Sequence, residues 1–573
     1  MKSLNRRPSL LTLSVACLLA GLGVCQAQEP ELQVGVAKVD ITPGYPIRLT
    51  GYAVRKIESD AAAQKLWAKG LAIRSGQEPV AILITVDNCG VCANVTEEVA
   101  ARLKAKAGVD RERFAVCSSH THTGPCLVGF APNIFAMPIP EEQQSTIARY
   151  TQELTDKIEQ AALAAIGDLR PGKLDWGSGK VRFARNRRTA GGPVDHTFSM
   201  LRATDREGNL RALVANYASH CTTLGGEFNK ICGDWAGFAQ EFLERDHPGA
   251  IALVTMGCGA DSNPFPRGGP DGGLNLAKQH GEEIATEAQR LLGQKLTPLR
   301  QQLRCQAKRI SLPFQKHFTR IEWEERAQKS GIVGYHAKKN LARLDAGETL
   351  PTALPYLVQT WSFGNDLAMV FLCGEVVVDY SQRLKGEFDS ARLWLNAYAN
   401  DVPCYIPSRR ILAEGGYEAE DSLWYYDRPA RLAPETEDLI DRTVHELLPK
   451  EFLVDPKKAE FPAAKTPEES LASIRTKPGL TVELVASEPF VTDPIETRDG
   501  QSLSGIITDE TATSLVLMGA TGTRQAILRS DVVEIKASNL SMMPEGLEQY
   551  LPAQGLADLI TYIQRPLPSA NLP

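Results

Sequence analysis

Five segments of this chain each place a group able to bind a metal or move a proton directly after an apolar run. The sharpest is Phe114-Ala115-Val116-Cys117-Ser118-Ser119-His120-Thr121-His122-Thr123-Gly124-Pro125, a strand-like stretch running into a polar loop with two imidazoles. A second, Asn216-Tyr217-Ala218-Ser219-His220, also ends in His, with Gly233-Asp234-Trp235 opening a helix after it. Then come Met256-Gly257-Cys258-Gly259-Ala260-Asp261-Ser262-Asn263-Pro264, Phe371-Leu372-Cys373-Gly374-Glu375, and Cys404-Tyr405-Ile406-Pro407 with Gly415-Gly416-Tyr417-Glu418. Imidazole and carboxylate are donors that zinc prefers, and strand-end loops are where a rigid scaffold presents them. Each has a bland reading as well. A His-x-His pair in a loop serves equally as two solvated or core-satisfied rings, a tyrosine as a packed aromatic, and Arg187, beside Arg185 and Arg188, as a solvated basic face.

Such groups need elements to hold them. From Val34 to about Leu448, strand-like apolar runs alternate with helical stretches, which predicts a mixed α/β layered core. Val80 to Val86 and Ala252 to Met256 read as short buried strands, and Thr146 to Ile166 repeats apolar positions at helical spacing and ends at Gly167. Around Pro449 to Gly479 the pattern dissolves into Lys, Glu, Pro and Ala, as a linker does. Beyond it, Leu503 to Ile507, Ser514 to Leu517 and Gln525 to Leu528 read as strands of a small barrel or sheet, with a helix from about Leu556 to Ile563. The expected organisation is a leader over 1–27, a catalytic domain over 31–450, a linker over 451–478 and a β-rich module over 479–573.

In this order the five segments resemble the amidase domain of the neutral/alkaline, non-lysosomal ceramidases. That family's pattern has a strand ending in His-Thr-His-Ser-Gly-Pro, a strand ending in a second zinc-binding His, a Gly-Asp-x-Ser-Pro loop, a Gly-Glu, and two tyrosines twelve positions apart, as Tyr405 and Tyr417 are. Val39-Asp40-Ile41-Thr42-Pro43, Gly51-Tyr52, Asn186-Arg187 and Val194-Asp195 are further matches, and the resemblance covers roughly Val34 to Leu448. It implies a mixed layered α/β zinc-hydrolase core with a small β-rich C-terminal module. It further implies one Zn²⁺ per chain on His120, His220, Glu375 and Tyr405, with His122, Arg187 and Tyr417 facing the substrate. Zinc-activated water would attack the carbonyl of a lipid-like N-acyl amide, Tyr417 or Arg187 would stabilise the oxyanion, and His122 would pass a proton to the leaving amine. The products would be a fatty acid and an amine, such as the sphingoid base of a ceramide, and peripheral contact with a membrane would follow.

Asp87 and Asp234 are the acids expected to orient the imidazoles, with helix capping the rival role for Asp234. Asp261 and Asn263 enter the expected catalytic set from the loop that departs from the family. Matching Asp and Pro puts Asn263 where the family has serine, and an asparagine forms no acyl-enzyme, so direct attack by water is favoured. Two other readings stand beside this one. They are a zinc hydrolase for a different amide or ester, and a non-catalytic binding protein that retains the site.

The 573 residues are 43% hydrophobic and 23% charged with a formal net charge of -6, and no basic run offers a nucleic-acid footprint. Met1-Lys2, Arg6-Arg7, the apolar stretch from Leu10 to about Val24 and Cys25-Gln26-Ala27 read as a secretory leader cleaved near Ala27, shorter than a membrane span needs. A secreted or periplasmic protein is the expectation. The ten cysteines beyond the leader are spread thinly, so disulfides are permitted and not demanded. Cys89-Gly90-Val91-Cys92 is followed by Ala93 where haem attachment needs His, which leaves small buried thiols as its reading. The C-terminal segment resembles the β-module of exported planctomycete proteins that carry a haem-binding domain, without the haem motif.

Overall fold

The computed structural model describes residues 32–300, 302–454, 492–497, 502–510, 514–518 and 524–537. The leader, most of the linker and the closing helix lie outside these residues. The chain divides into one unit ending at Leu453 and a second beginning at Val454.

The first unit is built on a nine-stranded mixed sheet. Its strands include β1 (Leu32–Asp40), β2 (Trp67–Ser75), β3 (Ala81–Val86), β4 (Phe114–Ser118) and β5 (Arg170–Lys180). After the short β6 (Ala184–Asn186), which pairs elsewhere, come β7 (Thr197–Asp205), β8 (Leu210–Tyr217) and β9 (Ile251–Met256). In space these eight run β9-β8-β7-β5-β1-β2-β3-β4, with parallel pairs only at the two edges, β9 with β8 and β3 with β4. A second, four-stranded sheet joins Leu303–Pro313, Ala353–Phe363, Leu367–Leu372 and Leu393–Asn396. With β10 (Ser262–Pro264) between the two sheets in sequence, these four are β11, β12, β13 and β15. The two-residue strand β14 (Glu375–Val376) pairs with β16 (Tyr405–Ile406).

The period-two alternation of side chains assigns the layers. In β3, Ala81 and Leu83 face one cluster while Ile82, Ile84 and Val86 face another, and β13 divides the same way into Leu367, Met369, Phe371 and Ala368, Val370, Leu372. The first of each set meet, with Trp361, Phe363 and Trp394, in the seam between the sheets. The outer faces are covered by helices, so the core is four layers, helix–sheet–sheet–helix. Both faces of β3 and β13 are buried throughout, which is why those strands are unbroken apolar runs.

Helix α1 (Ala93–Ala107) and the long α2 (Glu141–Gly167) cover one outer face. The face that α2 buries repeats Ile147, Tyr150, Leu154, Ile158, Ala161 and Ala165 at helical spacing. It lies so close that a Cβ on Gly35 of β1 would come within 2.0 Å of the Ala165 carbonyl oxygen. Helices α3 (Asp234–Asp246) and α4 (Leu274–Leu292) follow, then the pair α5 (Arg320–Ala327) and α6 (Gly331–Asp345), then α7 (Val378–Glu387), α8 (Arg409–Glu414) and α9 (Thr436–Leu447). Among the described residues no helix is long and apolar enough to cross a membrane. The second unit holds five antiparallel strands between Thr492 and Ala537 with a small core of Leu515, Leu517 and Ile527.

Candidate functional site

The loops that follow β3, β4, β8, β9, β13 and β15 leave the C-terminal ends of their strands together, the edge where layered α/β sheets present ligand sites. They deliver Cys89, His120, His220, Gly259, Glu375 and Tyr398. Backbone hydrogen bonds cross-tie them: Ser118 N–H to Tyr398 O (3.1 Å), Tyr398 N–H to Gly374 O (3.0 Å) and Asn400 N–H to Val116 O (2.7 Å). His120, Tyr398 and Asn400 all hold positive φ, at 55°, 52° and 63°. Non-glycine residues in that region cost of order 1–3 kcal/mol each and persist where surrounding structure over-determines them, most often at functional sites. Here the cross-ties do so, and the Tyr398 ring lies 4.3 Å from the His120 ring.

Three imidazoles converge in one orientation. His120 Nδ1 is 2.6 Å from the Cys89 carbonyl, His220 Nδ1 is 3.1 Å from the Gly259 carbonyl, and His122 Nδ1 is 3.0 Å from the Gly51 carbonyl. A carbonyl only accepts, so each Nδ1 carries a proton, and in the neutral ring Nε2 keeps its lone pair. Those lone pairs point at one another. His122 Nε2 is 3.1 Å from His120 Nε2, and Glu375 Oε2 is 3.1 Å from both His120 Nε2 and His220 Nε2. Gly51 sits at φ 90° against His122, where a Cβ would meet the ring at 2.6 Å, so glycine is required there.

The Glu375 carboxylate is divided. Tyr426 donates its hydroxyl to Oε1, while the buried Oε2 has no hydrogen-bond donor. A carboxylate oxygen facing two lone pairs at 3.1 Å is repelled, at a cost of several kcal/mol in a buried setting, unless a cation lies between them. His120, His220 and Glu375 bring one donor atom each to within 4.8 Å of one another, so the residues present fit a metal ion. Burial holds His220 down to about 4, helped by the Arg187 guanidinium, so it is neutral and able to coordinate at pH 7.

Tyr405 completes the edge of this cluster, its hydroxyl 3.2 Å from His220 Nε2 and burial raising its pKa well above the ordinary phenol. Arg187 is held rather than solvated. Its Nε donates to Glu418 Oε1 at 2.8 Å and its Nη2 to the Tyr405 hydroxyl at 3.1 Å, and the guanidinium lies 5.3 Å from the Tyr417 ring centre. Tyr417, 43% exposed, stands 5.4 Å from the Tyr405 ring. A cavity of about 200 Å³ opens in front of the cluster, lined by His120, His122, Glu375, Tyr405 and Tyr417 together with Tyr52, Phe130, Ile134 and Tyr426.

The structure therefore brings together His120, His122, His220, Arg187, Glu375, Tyr405 and Tyr417. It does not bring the side chains of Asp261 or Asn263 to them. Both Asp261 oxygens are engaged, by the Val378 N–H (2.9 Å) and Asn186 Nδ2 (3.1 Å), and burial raises this carboxyl to about 6. Asn263 pairs with Arg185 across β10 and β6, and its side chain accepts from Thr222 Oγ1 at 3.3 Å. Neither lines the cavity.

The expectation that Asp87 and Asp234 orient the imidazoles is corrected, because carbonyl oxygens do so. Asp87 accepts from the Trp67 N–H (2.9 Å) and Gln240 (2.8 Å), and Asp234, at the start of α3, accepts from the N–H groups of Leu224 (2.9 Å) and Trp235 (2.6 Å). Sequence reasoning passed over Glu418, Tyr426 and Tyr398. Glu418 beside Tyr417 was the available signal, an acid next to a site tyrosine. The ten cysteines are free, nine of them buried, and it is the Cys89 carbonyl rather than its thiol that holds His120.

Residues 32–254 match the model of the neutral/alkaline non-lysosomal ceramidase N-terminal domain, a stretch that contains His120, His122, Arg187 and His220 and ends before Glu375 and Tyr405. The chain is 24% identical over 258 residues to the neutral ceramidase of Pseudomonas aeruginosa, covering 42% of this chain and 38% of that protein. It is also 24% identical over 251 residues to the neutral ceramidase of Oryza sativa subsp. japonica, covering 41% and 31%. The matched stretch thus spans about a third of these relatives. The crystal structure of the Pseudomonas aeruginosa neutral ceramidase superimposes with a TM-score of 0.59 at 19% identity, covering 88% of this chain and 89% of that one, and so shares its fold. By sequence over residues 32–254, and by fold over most of its length, this chain is similar to the neutral/alkaline non-lysosomal ceramidases.

Proposed function

We propose that this chain is an exported zinc-dependent amidohydrolase that cleaves a ceramide-like N-acyl amide into a carboxylic acid and an amine. The observation that carries the reading is the convergence of the carbonyl-fixed Nε2 lone pairs of His120 and His220 on an undonated carboxylate oxygen, with His122 Nε2 turned to the same point beside His120. His120, His220 and Glu375 would hold the ion with Tyr405 as fourth donor, a set that suits Zn²⁺. When bound, zinc supplies Lewis acidity toward a carbonyl oxygen and lowers the pKa of water.

The chain's own residues supply the rest. Arg187, clamped by Glu418, and Tyr417 stand beside Tyr405, where the oxygen of an attacked carbonyl would gather charge, and each donates a hydrogen bond to it. His122, with its Nδ1 proton tied to Gly51 and Nε2 turned inward, moves the proton to the leaving amine. Burial and the neighbouring imidazoles hold its pKa well below the ordinary value, so a proton it gains is readily given up. Asp261 fixes the frame around Arg187, whose backbone N–H donates to the Asp261 carbonyl at 2.8 Å.

The test is hydrolysis of a panel of N-acyl amides by the purified chain, followed by release of the free acid. Turnover that a chelator abolishes and added zinc restores supports the reading. Ester hydrolysis without amide hydrolysis would replace it with the alternative substrate class.

A further inference from the structure

Between β1 and β2 the chain runs Thr50-Gly51-Tyr52-Ala53-Val54-Arg55, and Arg55 is a buried arginine, 4% exposed. A guanidinium carries five N–H donors in a planar fork, and here five hydrogen bonds use them, each ending on a peptide carbonyl. Nε donates to Gly226 O at 3.1 Å, Nη2 to Gly225 O and Phe228 O at 3.0 Å, and Nη1 to Thr50 O at 3.0 Å and to His122 O. Burying a cation among neutral groups is costly unless its donors are satisfied, and this fork is saturated. Burial lowers its pKa to about 10, which leaves it charged at pH 7.

Two of these acceptors bear on His122. The tautomer of that ring is set by one hydrogen bond, from Nδ1 to the Gly51 carbonyl at 3.0 Å, and a carbonyl is aimed only as well as the chain on either side of it is held. Arg55 grips both flanks of Gly51. Its Nη1 takes the Thr50 carbonyl and its backbone N–H takes the Tyr52 carbonyl at 3.3 Å. The same Nη1 takes the main-chain carbonyl of His122. One nitrogen thus joins the segment that aims the acceptor to the residue whose ring donates to it, while Nε and Nη2 anchor the fork on a third segment. The Tyr52 ring lies 4.8 Å from the guanidinium and meets the His122 ring edge-on at 5.1 Å. His120 and His220 rest on the carbonyls of Cys89 and Gly259, which are not among the acceptors of Arg55.

Resting on the amidohydrolase reading, we infer that Arg55 is the positioning residue of the proton-carrying imidazole: its fork, rather than its charge, keeps the Gly51 carbonyl on His122 Nδ1 and so keeps the Nε2 lone pair turned toward the cavity. Arg55 acts through His122 and is not itself a catalytic residue. Once released, the ring turns about its own bond or carries its proton on Nε2, and a displacement of about 1 Å in a reacting group costs about 10²-fold in rate. Lysine keeps the charge but offers three donors on one nitrogen, so it does not span the five carbonyls.

The experiment is nitrogen NMR of the full-length protein with histidine isotopically labelled at both ring nitrogens, the His122 signals being identified by their loss in His122→Asn. The wild type should show His122 wholly in the Nδ1–H form. Arg55→Met and the milder Arg55→Lys should each turn His122 into a mixture of the two tautomers, while His120 and His220 keep Nδ1–H and zinc content is unchanged. In the same variants kcat for an N-acyl amide should fall about 10²-fold with KM little changed. A His122 signature unaltered in Arg55→Lys, or a mixture already present in the wild type, overturns the assignment, and the second of these needs no variant to fold. Loss of zinc together with the Nδ1–H form of all three imidazoles also overturns it, because the arginine then serves the whole fold. A freed His122 in a protein whose wild type hydrolyses no amide sinks the hydrolase reading and leaves Arg55 as the holder of that ring.

Discussion

Three peptide carbonyls, those of Gly51, Cys89 and Gly259, set the tautomer of His122, His120 and His220. Carbonyls are common to every residue, so no side-chain motif announces them. The imidazoles, Glu375 and the two tyrosines were legible from their types and order, whereas Glu418 and Tyr426, which hold Arg187 and Glu375, were not. Arg187→Met should lower kcat by about 10²–10³, the usual cost of an oxyanion donor, and metal analysis should find its zinc content unchanged. Ser262 is buried with an unpartnered hydroxyl and does not line the cavity. Ser262→Ala should therefore change turnover by less than about ten-fold, against the roughly 10⁶-fold loss of a true nucleophile. Stoichiometric labelling of Ser262 by a serine-directed inhibitor, with turnover lost in proportion, would restore the acyl-enzyme route.

Between elements, Asp427 ties the cavity-lining loop of Phe130 and Ile134, through Asn133 Nδ2 at 3.1 Å, to Lys339 and Arg343 of α6. Burial pushes this carboxyl up, but Arg343 and Lys339 outweigh it and hold it at about 2, against an ordinary 3.8. A depressed pKa stabilises the fold above the unfolded value, and that stability is lost as pH falls from about 4 to about 2. The shift corresponds to about 2 kcal/mol. Asp427→Asn should lose about that much in denaturant unfolding at pH 7 and show a shallower acid limb between those pH values; an unchanged acid limb would remove Asp427 from the account. Local pattern located such elements well. Thr146 to Ile166 was read as a helix, and α2 begins five residues earlier, at Glu141 after Pro140, where two acidic residues complement its N-terminus. Val80 to Val86 became β3 within one residue. Strand order was not legible, because pairing β1 with β5 depends on contacts more than a hundred residues apart that no window of sequence contains.

At the scale of the whole molecule, the mixed α/β architecture follows from alternating apolar runs, and a composition shift near Pro449 marked the end of the first unit. The structure puts that end at Leu453 for a physical reason. Phe452 is buried and its carbonyl accepts the Asp389 N–H at 2.8 Å, and Leu453 pairs with Phe388. A chain ending after Leu453 should unfold within a few degrees of the full-length protein, while one ending at Pro449 should be measurably less stable in the same thermal melt. Equal stability of the two would place the boundary earlier.

The central claim is that His120, His220 and Glu375 hold a zinc ion, and elemental analysis of purified protein reads it directly. The account predicts about one zinc per chain and almost none in the His120→Ala, His220→Ala double variant, with a folded circular-dichroism spectrum in both. Full zinc occupancy in that double variant would contradict it.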